Sequence, residues 1–382
     1  MKVLAFTYKA EISGGSNRSF LSILDLLKNN GHEVMLYLPK SKGQLYQEAD
    51  KISIVASHLP YARAAHRYTG SKMVDIVWYF IIYLKVLWDF LLAIRCSFMI
   101  KGYAPDVIYT NGMDVHIGRF VSLITGIPHV NHIRDQYEDR ITVPCFFKLT
   151  ASGTKKVILI SNDLYNTYHK HIPAEKLAMI HNGIKYVEQP ANVEHEGFEL
   201  LQTARICKEK RVFDAVVAVH KVHSMRPNKR VHLNIAGKTV TEQDILYKNA
   251  IDQYIQEQGL NDLVTFLGEV KDMSTLRSRM DVELMCSERE PFGRVTVEGM
   301  RSGLPVIGSN TGGTPDIISE GETGFLYEMG NTDDLSNRIV RLTDDRALWQ
   351  KMSVQARSFA TTHFTENQLQ KTVDLLETIA RK

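Results

Sequence analysis

Residues 2–38 read KVLAFTYKAEISGGSNRSFLSILDLLKNNGHEVMLYL, and this stretch decides the fold. Lys2–Phe6 is an apolar run with branched and aromatic residues, suited to a buried strand. Ser13-Gly14-Gly15-Ser16 is a turn. Phe20, Leu21, Ile23, Leu24, Leu26 and Leu27 then form a broad helical apolar face that ends at Asn30-Gly31. Glu33–Leu38 is a second strand. Strand, turn, helix and strand in that order imply parallel strands joined by a crossover, so the fold class is α/β with a doubly wound parallel sheet.

The same pattern continues outward. Val107–Thr110, His129–Ile133, Lys156–Ile160 and Met179–His181 read as further strands. The polar stretch Ala191–Gly197 interrupts it. It restarts with a strand over Glu199–Ala204, a turn at Lys208–Arg211 and a helix through Val222. Val231–Ala236, Leu263–Leu267, Val282–Cys286, Pro305–Gly308 and Gly324–Tyr327 read as later strands. A last helix, Thr365–Ala380, carries Leu369, Val373, Leu375, Leu376 and Ile379 as its apolar stripe. The expected division is an N-terminal domain over 1–190, a C-terminal domain over 191–364, and a helix at 365–382 packing back towards the N-terminal domain. Two such halves place a cleft between them, the default position for a ligand.

Composition sets the outer limits. The chain has 382 residues, 44% hydrophobic and 23% charged, which excludes disordered and collagenous classes. The formal charge is only +3, with residues 1–187 at +8 and the remainder at −5. The basic N-terminal half suggests an anionic partner on that side. No nucleic-acid-binding module is visible, and none is expected. Cys96, Cys145, Cys207 and Cys286 are scattered, which fits a reduced cytoplasmic setting and no zinc site. Val3–Thr7 is too short for a signal-peptide core. The greasiest stretch, Val74–Ile100, is broken by Asp75, Lys85, Asp89 and Arg95, and its longest charge-free run, Ile76–Leu84, falls well short of the ~20 residues of a membrane span.

The densest chemical signal is Ser287-Glu288-Arg289-Glu290-Pro291-Phe292-Gly293-Arg294-Val295-Thr296-Val297-Glu298. A strand ends near Cys286 and a helix starts near Gly293. That places Glu290 on a loop at the carboxyl edge of the sheet and Glu298 more than a turn into the helix. Backbone N–H groups at Phe292 and Gly293 make a seat for an anion or a hydroxyl-rich ligand. The two carboxylates can accept from vicinal hydroxyls, or simply cap the helix and face solvent. Asn310-Thr311-Gly312-Gly313-Thr314-Pro315 comes next, with Thr314 as the expected N-cap and Pro315 as the first residue of a second open helix. Arg205, Lys208, Lys210 and Arg211, directly after a first strand, suit phosphate recognition or a solvated basic turn.

The block from Glu290 to Leu326 resembles the donor-binding signature of retaining glycosyltransferases of family 4, which have the GT-B fold of two Rossmann-like domains. Glu290-Pro291-Phe292-Gly293 through Glu298 matches the Glu-x7-Glu motif; Ser302-Gly303-Leu304-Pro305, Gly312-Gly313 and Gly321-x-x-Gly324-Phe325-Leu326 match the segments usual on its C-terminal side. Gly14-Gly15, Pro105-Asp106-Val107-Ile108, His181-Asn182-Gly183-Ile184 and Phe266-Leu267-Gly268 extend the likeness along the chain. The resemblance implies transfer of a sugar from a nucleotide-diphosphate sugar, a UDP-sugar by family frequency, to a glycan or lipid-linked acceptor in surface polysaccharide synthesis. Arg205 and Lys210 would hold the diphosphate and stabilise the leaving group. Glu298 would bind the ribose, and Glu290 the transferred sugar. Phe292 and Gly293 would supply amides, with Arg294 beside them in the donor-binding set. Gly14 and Gly15 would approach the diphosphate, and Gly312 and Gly313 would shape the pocket. Ala204 stands where the family usually has glycine. Arg134 stands where many members have a histidine, with His132 two residues earlier; on a strand the two share a face, and both are expected near the reacting sugar. The chain lacks any Asp-x-Asp, which agrees with a reaction needing no metal and no other cofactor.

Val74–Ile100 carries Trp78, Tyr79, Phe80, Tyr83, Trp88, Phe90 and Phe98, with basic residues on either side. It reads either as a peripheral, interfacial helix at the inner face of the cytoplasmic membrane or as a core helix of the first domain. Competing readings of the whole chain are a nucleotide-sugar epimerase or hydrolase of the same fold, and an inactive donor-binding subunit. A dinucleotide oxidoreductase is disfavoured, because Gly14-Gly15 lacks the G-x-G-x-x-G spacing.

Overall fold

A computed structural model describes residues 1–12, 14–137, 140–142, 146–185 and 195–381. The expected boundary at 190/191, together with Ser13, Glu138 and Cys145, lies outside them. The chain forms two compact units, Met1–Gly183 with Glu366–Lys382, and Ile184–Thr365.

The first unit runs β1 (Lys2–Thr7), α1 (Gly15–Asn29), β2 (Glu33–Leu38), α2 (Gln44–Lys51), β3 (Val55–His58), β4 (His66–Arg67), α3 (Lys72–Met99), β5 (Val107–Asn111), α4 (Ile117–Thr125), β6 (His129–Ile133), β7 (Arg140–Ile141), α5 (Phe146–Ala151), β8 (Lys156–Leu159), α6 (Asn162–Tyr168) and β9 (Leu177–Met179). Seven strands form a parallel sheet in the order β3-β2-β1-β5-β6-β8-β9. The strand expected over Met179–His181 begins two residues earlier, because pairing with β8 starts at Leu177, straight after a single helical turn at Ala174–Lys176. The edge strand β3 carries no clear sequence signal; it is short, and its Val55 faces solvent.

The second unit runs β10 (Phe198–Thr203), α7 (Val212–Met225), β11 (Val231–Ala236), α8 (Glu242–Glu257), β12 (Val264–Gly268), α9 (Met273–Arg277), β13 (Val282–Met285), α10 (Arg294–Arg301), β14 (Val306–Ser309), β15 (Gly324–Tyr327), α11 (Thr332–Asp344) and α12 (Arg346–His363). Its parallel six-stranded sheet has the order β12-β11-β10-β13-β14-β15. The last helix, α13 (Glu366–Ala380), belongs to the first unit, where Leu369, Val373, Leu376 and Ile379 enter the same core as Phe20, Leu24 and Leu27 of α1.

Each sheet reverses its strand order once, between β1 and β5 and between β10 and β13. The loops leaving the carboxyl ends of these strands diverge to opposite faces and leave a crevice, the usual ligand position in an open α/β sheet.

The opposite face of the first sheet is covered by α3 and α4. Leu92, Ala93, Cys96 and Ile100 bury against Ile117 and Val121. One face of α3 packs in the core with Leu4, Phe6 and Ile108 of the sheet, and the other face is exposed. Asp89 lies on that buried face, and its Oδ1 accepts from the Ala62 N–H at 2.7 Å. Burial lifts its carboxyl to about 7, although backbone bonds from Ala62 and His116 favour the charge. Since the folded value lies above the ordinary one of about 4, ionisation opposes folding. Stability is therefore expected to fall as pH rises from about 4 to about 7. Asp89→Asn should flatten that slope in urea titrations at several pH values; an unchanged slope would remove Asp89 as its source.

Candidate functional site

In the second unit three loops leave adjacent strand ends. One succeeds β10 (Ala204–Arg211), one succeeds β13 (Cys286–Gly293) and one succeeds β14 (Asn310–Gly313). They brace one another through the backbone. Glu288 N–H donates to the Glu209 carbonyl at 2.9 Å, and Gly313 N–H to the Glu290 carbonyl at 2.7 Å. The Thr311 hydroxyl donates to the Glu288 carbonyl at 2.8 Å.

Four of the expected residues pair directly. The Lys210 ammonium is bonded to the Glu290 carboxylate, both side chains being partly exposed. Burial works against the charge on Lys210, but Glu290 outweighs it and raises the pKa, so Lys210 stays cationic. Arg294 Nη2 lies 3.3 Å from Glu298 Oε1. Arg205 stays near this group but turns to Asp244 (3.6 Å) and Glu209 (3.7 Å). Burial works against its charge, but the Cys207 thiol, Asp244 and Glu209 outweigh it and raise the pKa. Three cationic side chains and two carboxylates therefore stand at the reversal point of this sheet.

Gly293 is the N-cap of α10 in a left-handed conformation, and no side chain caps the helix, so its first N–H groups face outward. Phe292 points its ring into the interior, edge-on to Phe364 at 5.7 Å, and only its backbone remains for a ligand. Gly312 has φ +60°, and a Cβ there would come within 2.4 Å of the Glu290 carbonyl oxygen. A Cβ on Gly313 would come within 2.7 Å of the Pro291 carbonyl oxygen and 2.8 Å of Phe292 Cα. The glycine pair thus sets the path of the Glu290 loop from behind. The second open helix does not form. Thr314–Asp316 is a single three-residue turn, preceded by Gly313 and not capped by Thr314. The Thr314 methyl packs over Gly308 of β14, which keeps its hydroxyl buried and away from the turn's N–H groups.

Sequence reasoning missed the residue that fixes Glu298. Arg277 of α9 is fully buried; its Nε donates to Glu283 at 2.9 Å and its Nη2 to Glu298 Oε2 at 3.3 Å. Both oxygens of Glu298 therefore take a guanidinium. Glu283 has no exposure, and burial raises its pKa although Arg277 counters this. Gly299 leaves room for it, since a Cβ would sit 2.4 Å from Glu283 Oε2. An Arg alone in a short helical segment carries no sequence signal for such a role; the only hint is an acidic residue inside an otherwise apolar strand.

In the first unit the register aligns Thr7, Asn111 and His132 across the carboxyl ends of β1, β5 and β6. Asn111 Nδ2 donates to Thr7 Oγ1 (3.0 Å) and to Asn17 Oδ1 (3.2 Å). Asn17 Nδ2 donates to the Glu11 carbonyl at 2.7 Å, which holds the loop leading to Gly14 and Gly15. Gly14 is the N-cap of α1, and Gly15 opens it; a Cβ on Gly14 would meet no protein atom within 4 Å. Arg134 Nε donates to Asn111 Oδ1 at 3.0 Å, and its Nη1 is bonded to Asn182. The Asp135 carboxylate lies 3.8 Å from Arg63.

His132 and Arg134 do share a face. The Tyr109 hydroxyl (2.8 Å) and Arg134 Nη2 (3.1 Å) both reach His132 Nδ1. A guanidinium only donates, so Nδ1 is the acceptor and the ring proton sits on Nε2. Burial and the Arg134 charge push the His132 pKa well below its usual value, so the ring is neutral. Its Nε2 is buried without a hydrogen-bond partner among the described residues. His132 is thus a fixed neutral N–H donor. Asn17 and Asn111 escape a reading from sequence, because asparagine in a turn or at a strand end has no distinctive spacing; Asn182 stands in the His181–Ile184 segment of the family likeness but is given no role there.

The family described as Glycosyltransferase Family 4 matches residues 13–186, and Glycosyl transferases group 1 matches residues 187–359. N-acetyl-alpha-D-glucosaminyl L-malate synthase of Bacillus anthracis is 27% identical over 234 residues, 58% of each chain. The capsular polysaccharide biosynthesis glycosyltransferase CapM of Staphylococcus aureus is 26% identical over 220 residues, covering 58% of this chain and 50% of that one. The matched part spans about half the length of these curated relatives. Among solved structures, Anabaena Alr3699/HepE in complex with UDP superposes with a TM-score of 0.81 at 20% identity, covering 99% of this chain and 100% of that one.

Proposed function

Because the chain belongs to the family 4 glycosyltransferases, with the GT-B fold of two Rossmann-like units, we propose that it is a retaining transferase that moves a sugar from a UDP-sugar to a glycan or lipid-linked acceptor. Surface polysaccharide or glycoconjugate synthesis is the setting, as the name of one relative suggests for that protein. The observation that carries the reading is the convergence of Lys210, Glu290 and Glu298 beside the uncapped N-terminus of α10. A structural neighbour with UDP bound supports the choice of base.

Arg205, Lys210 and the α10 amides supply positive charge to the diphosphate, and no metal enters the step. Glu298, held by Arg277 and Arg294, accepts from the ribose hydroxyls. Glu290 accepts from the sugar, and His132 Nε2–H donates to a sugar hydroxyl. The bond from the anomeric carbon to the phosphate oxygen breaks while the acceptor oxygen bonds the same carbon from the same face. The acceptor proton passes to the leaving phosphate, and nucleoside diphosphate departs. A peripheral contact of residues 74–100 with the inner face of the cytoplasmic membrane brings the enzyme to a lipid-linked acceptor.

Thermal unfolding with UDP, GDP, ADP, CDP and NAD, with and without EDTA, tests this. UDP at a hundred times its Kd is expected to stabilise the fold by about 2.7 kcal/mol, with no effect of EDTA. Glu298→Ala should abolish most of that shift. A shift with NAD alone, or with none of the five, would overturn the reading.

A further inference from the structure

The helix α3 leaves an extended face without a partner in its own chain. Its exposed residues are fourteen apolar or aromatic side chains together with Lys72 and Arg95. Met73, Ile76, Phe80, Leu87, Ile94 and Phe98 recur at helical spacing from end to end, with Phe80 and Phe98 each 65% exposed. At 1.5 Å per residue the helix is about 42 Å long, and the stripe runs nearly its whole length. A soluble domain rarely leaves so much contiguous apolar surface to water.

Charge separates the candidate occupants. The two carboxylates of α3 both turn away from the stripe. Asp75 accepts from Thr69 N–H (2.8 Å) and Thr69 Oγ1 (2.7 Å), and Asp89 is buried against Ala62. Lys72, Arg95 and, just beyond the helix, the exposed Lys101 remain. A face of apolar side chains with cations and no anion matches an anionic lipid surface, where long cationic stems reach the headgroups.

The way α3 is fastened decides its orientation. Ile82, Leu92, Ala93 and Cys96 are buried on its other side, and Trp88 Nε1 donates to the Pro60 carbonyl at 2.8 Å. Against the expectation from its short charge-free run, the whole helix is long and apolar enough to cross a bilayer, but crossing would strip these residues from the core of its unit. We propose that α3 lies in the plane of an anionic bilayer leaflet and docks the first unit on it through the Met73–Phe98 stripe. This rests on the peripheral contact proposed above and names its partner and geometry.

The test is sedimentation of the full chain with phosphatidylcholine vesicles and with vesicles that also contain phosphatidylglycerol. The wild-type chain is expected to bind the mixed vesicles at least tenfold more tightly than the neutral ones. Phe80→Glu with Leu87→Glu should abolish binding to both, and Lys72→Glu with Arg95→Glu should remove only the preference. All four side chains are exposed, so the UDP-induced thermal shift should survive each change. Equal binding by the wild type and the Phe80/Leu87 variant would overturn docking through this face. So would absence of vesicle binding, with or without a dimer that the Leu87 change dissociates. Equal binding to both vesicle types would overturn the anionic partner. Vesicle binding without any nucleotide shift would leave the docking in place and sink the transferase reading instead.

Discussion

Lys210→Ala is expected to lower sugar transfer by about 10²- to 10³-fold, with donor affinity changing by less than tenfold. The negative charge that Lys210 meets grows as the bond to the leaving diphosphate breaks, so the loss falls mainly on the transition state. In the free protein Lys210 is already cationic and bonded to Glu290, so the group is set in place before the donor arrives. Lys210→Arg keeps the charge but not the compact ammonium, and should recover part of the rate. The measurement is kcat and KM for the UDP-sugar, with the UDP thermal shift as a check on folding. Equal losses in affinity and rate would restrict Lys210 to ground-state binding.

Arg277→Met is expected to destabilise the second unit by about 3–5 kcal/mol, because it strands the fully buried Glu283 without its cation. The cost should shrink as pH falls and Glu283 takes up a proton, since burial already favours the protonated form. Adding Glu283→Gln should restore much of the stability, which a double-mutant comparison of urea midpoints would show. It should not restore nucleotide affinity, because Glu298 still lacks one of its two guanidinium partners. Recovery of both together would mean that Arg277 acts only on stability and does not position Glu298.

The failure of the second helix start has a local reason. Thr and Pro in sequence are a sound signal for a helix N-terminus. Here the Thr314 methyl is drawn onto Gly308, and the segment closes after one turn. The glycines expected to shape the pocket, Gly312 and Gly313, face the backbone of the Glu290 loop, a relation between two strand ends that no spacing along the chain records.

By itself the sequence determined the α/β class, most strands within a residue or two, and the identity of the charged residues at the sheet reversals. Apolar runs bounded by glycine turns are properties of contiguous segments, and so are loops placed after strands. Tertiary structure alone decided three other matters. It paired Lys210 with Glu290, residues far apart in the chain, by setting β10 beside β13. It fixed the His132 proton on Nε2, because Arg134 and Tyr109 meet its other nitrogen. It also decided which side of α3 is buried. An almost wholly apolar helix carries too weak a pattern to choose its own inner face, and the choice came from Leu92, Ala93 and Cys96 meeting α4.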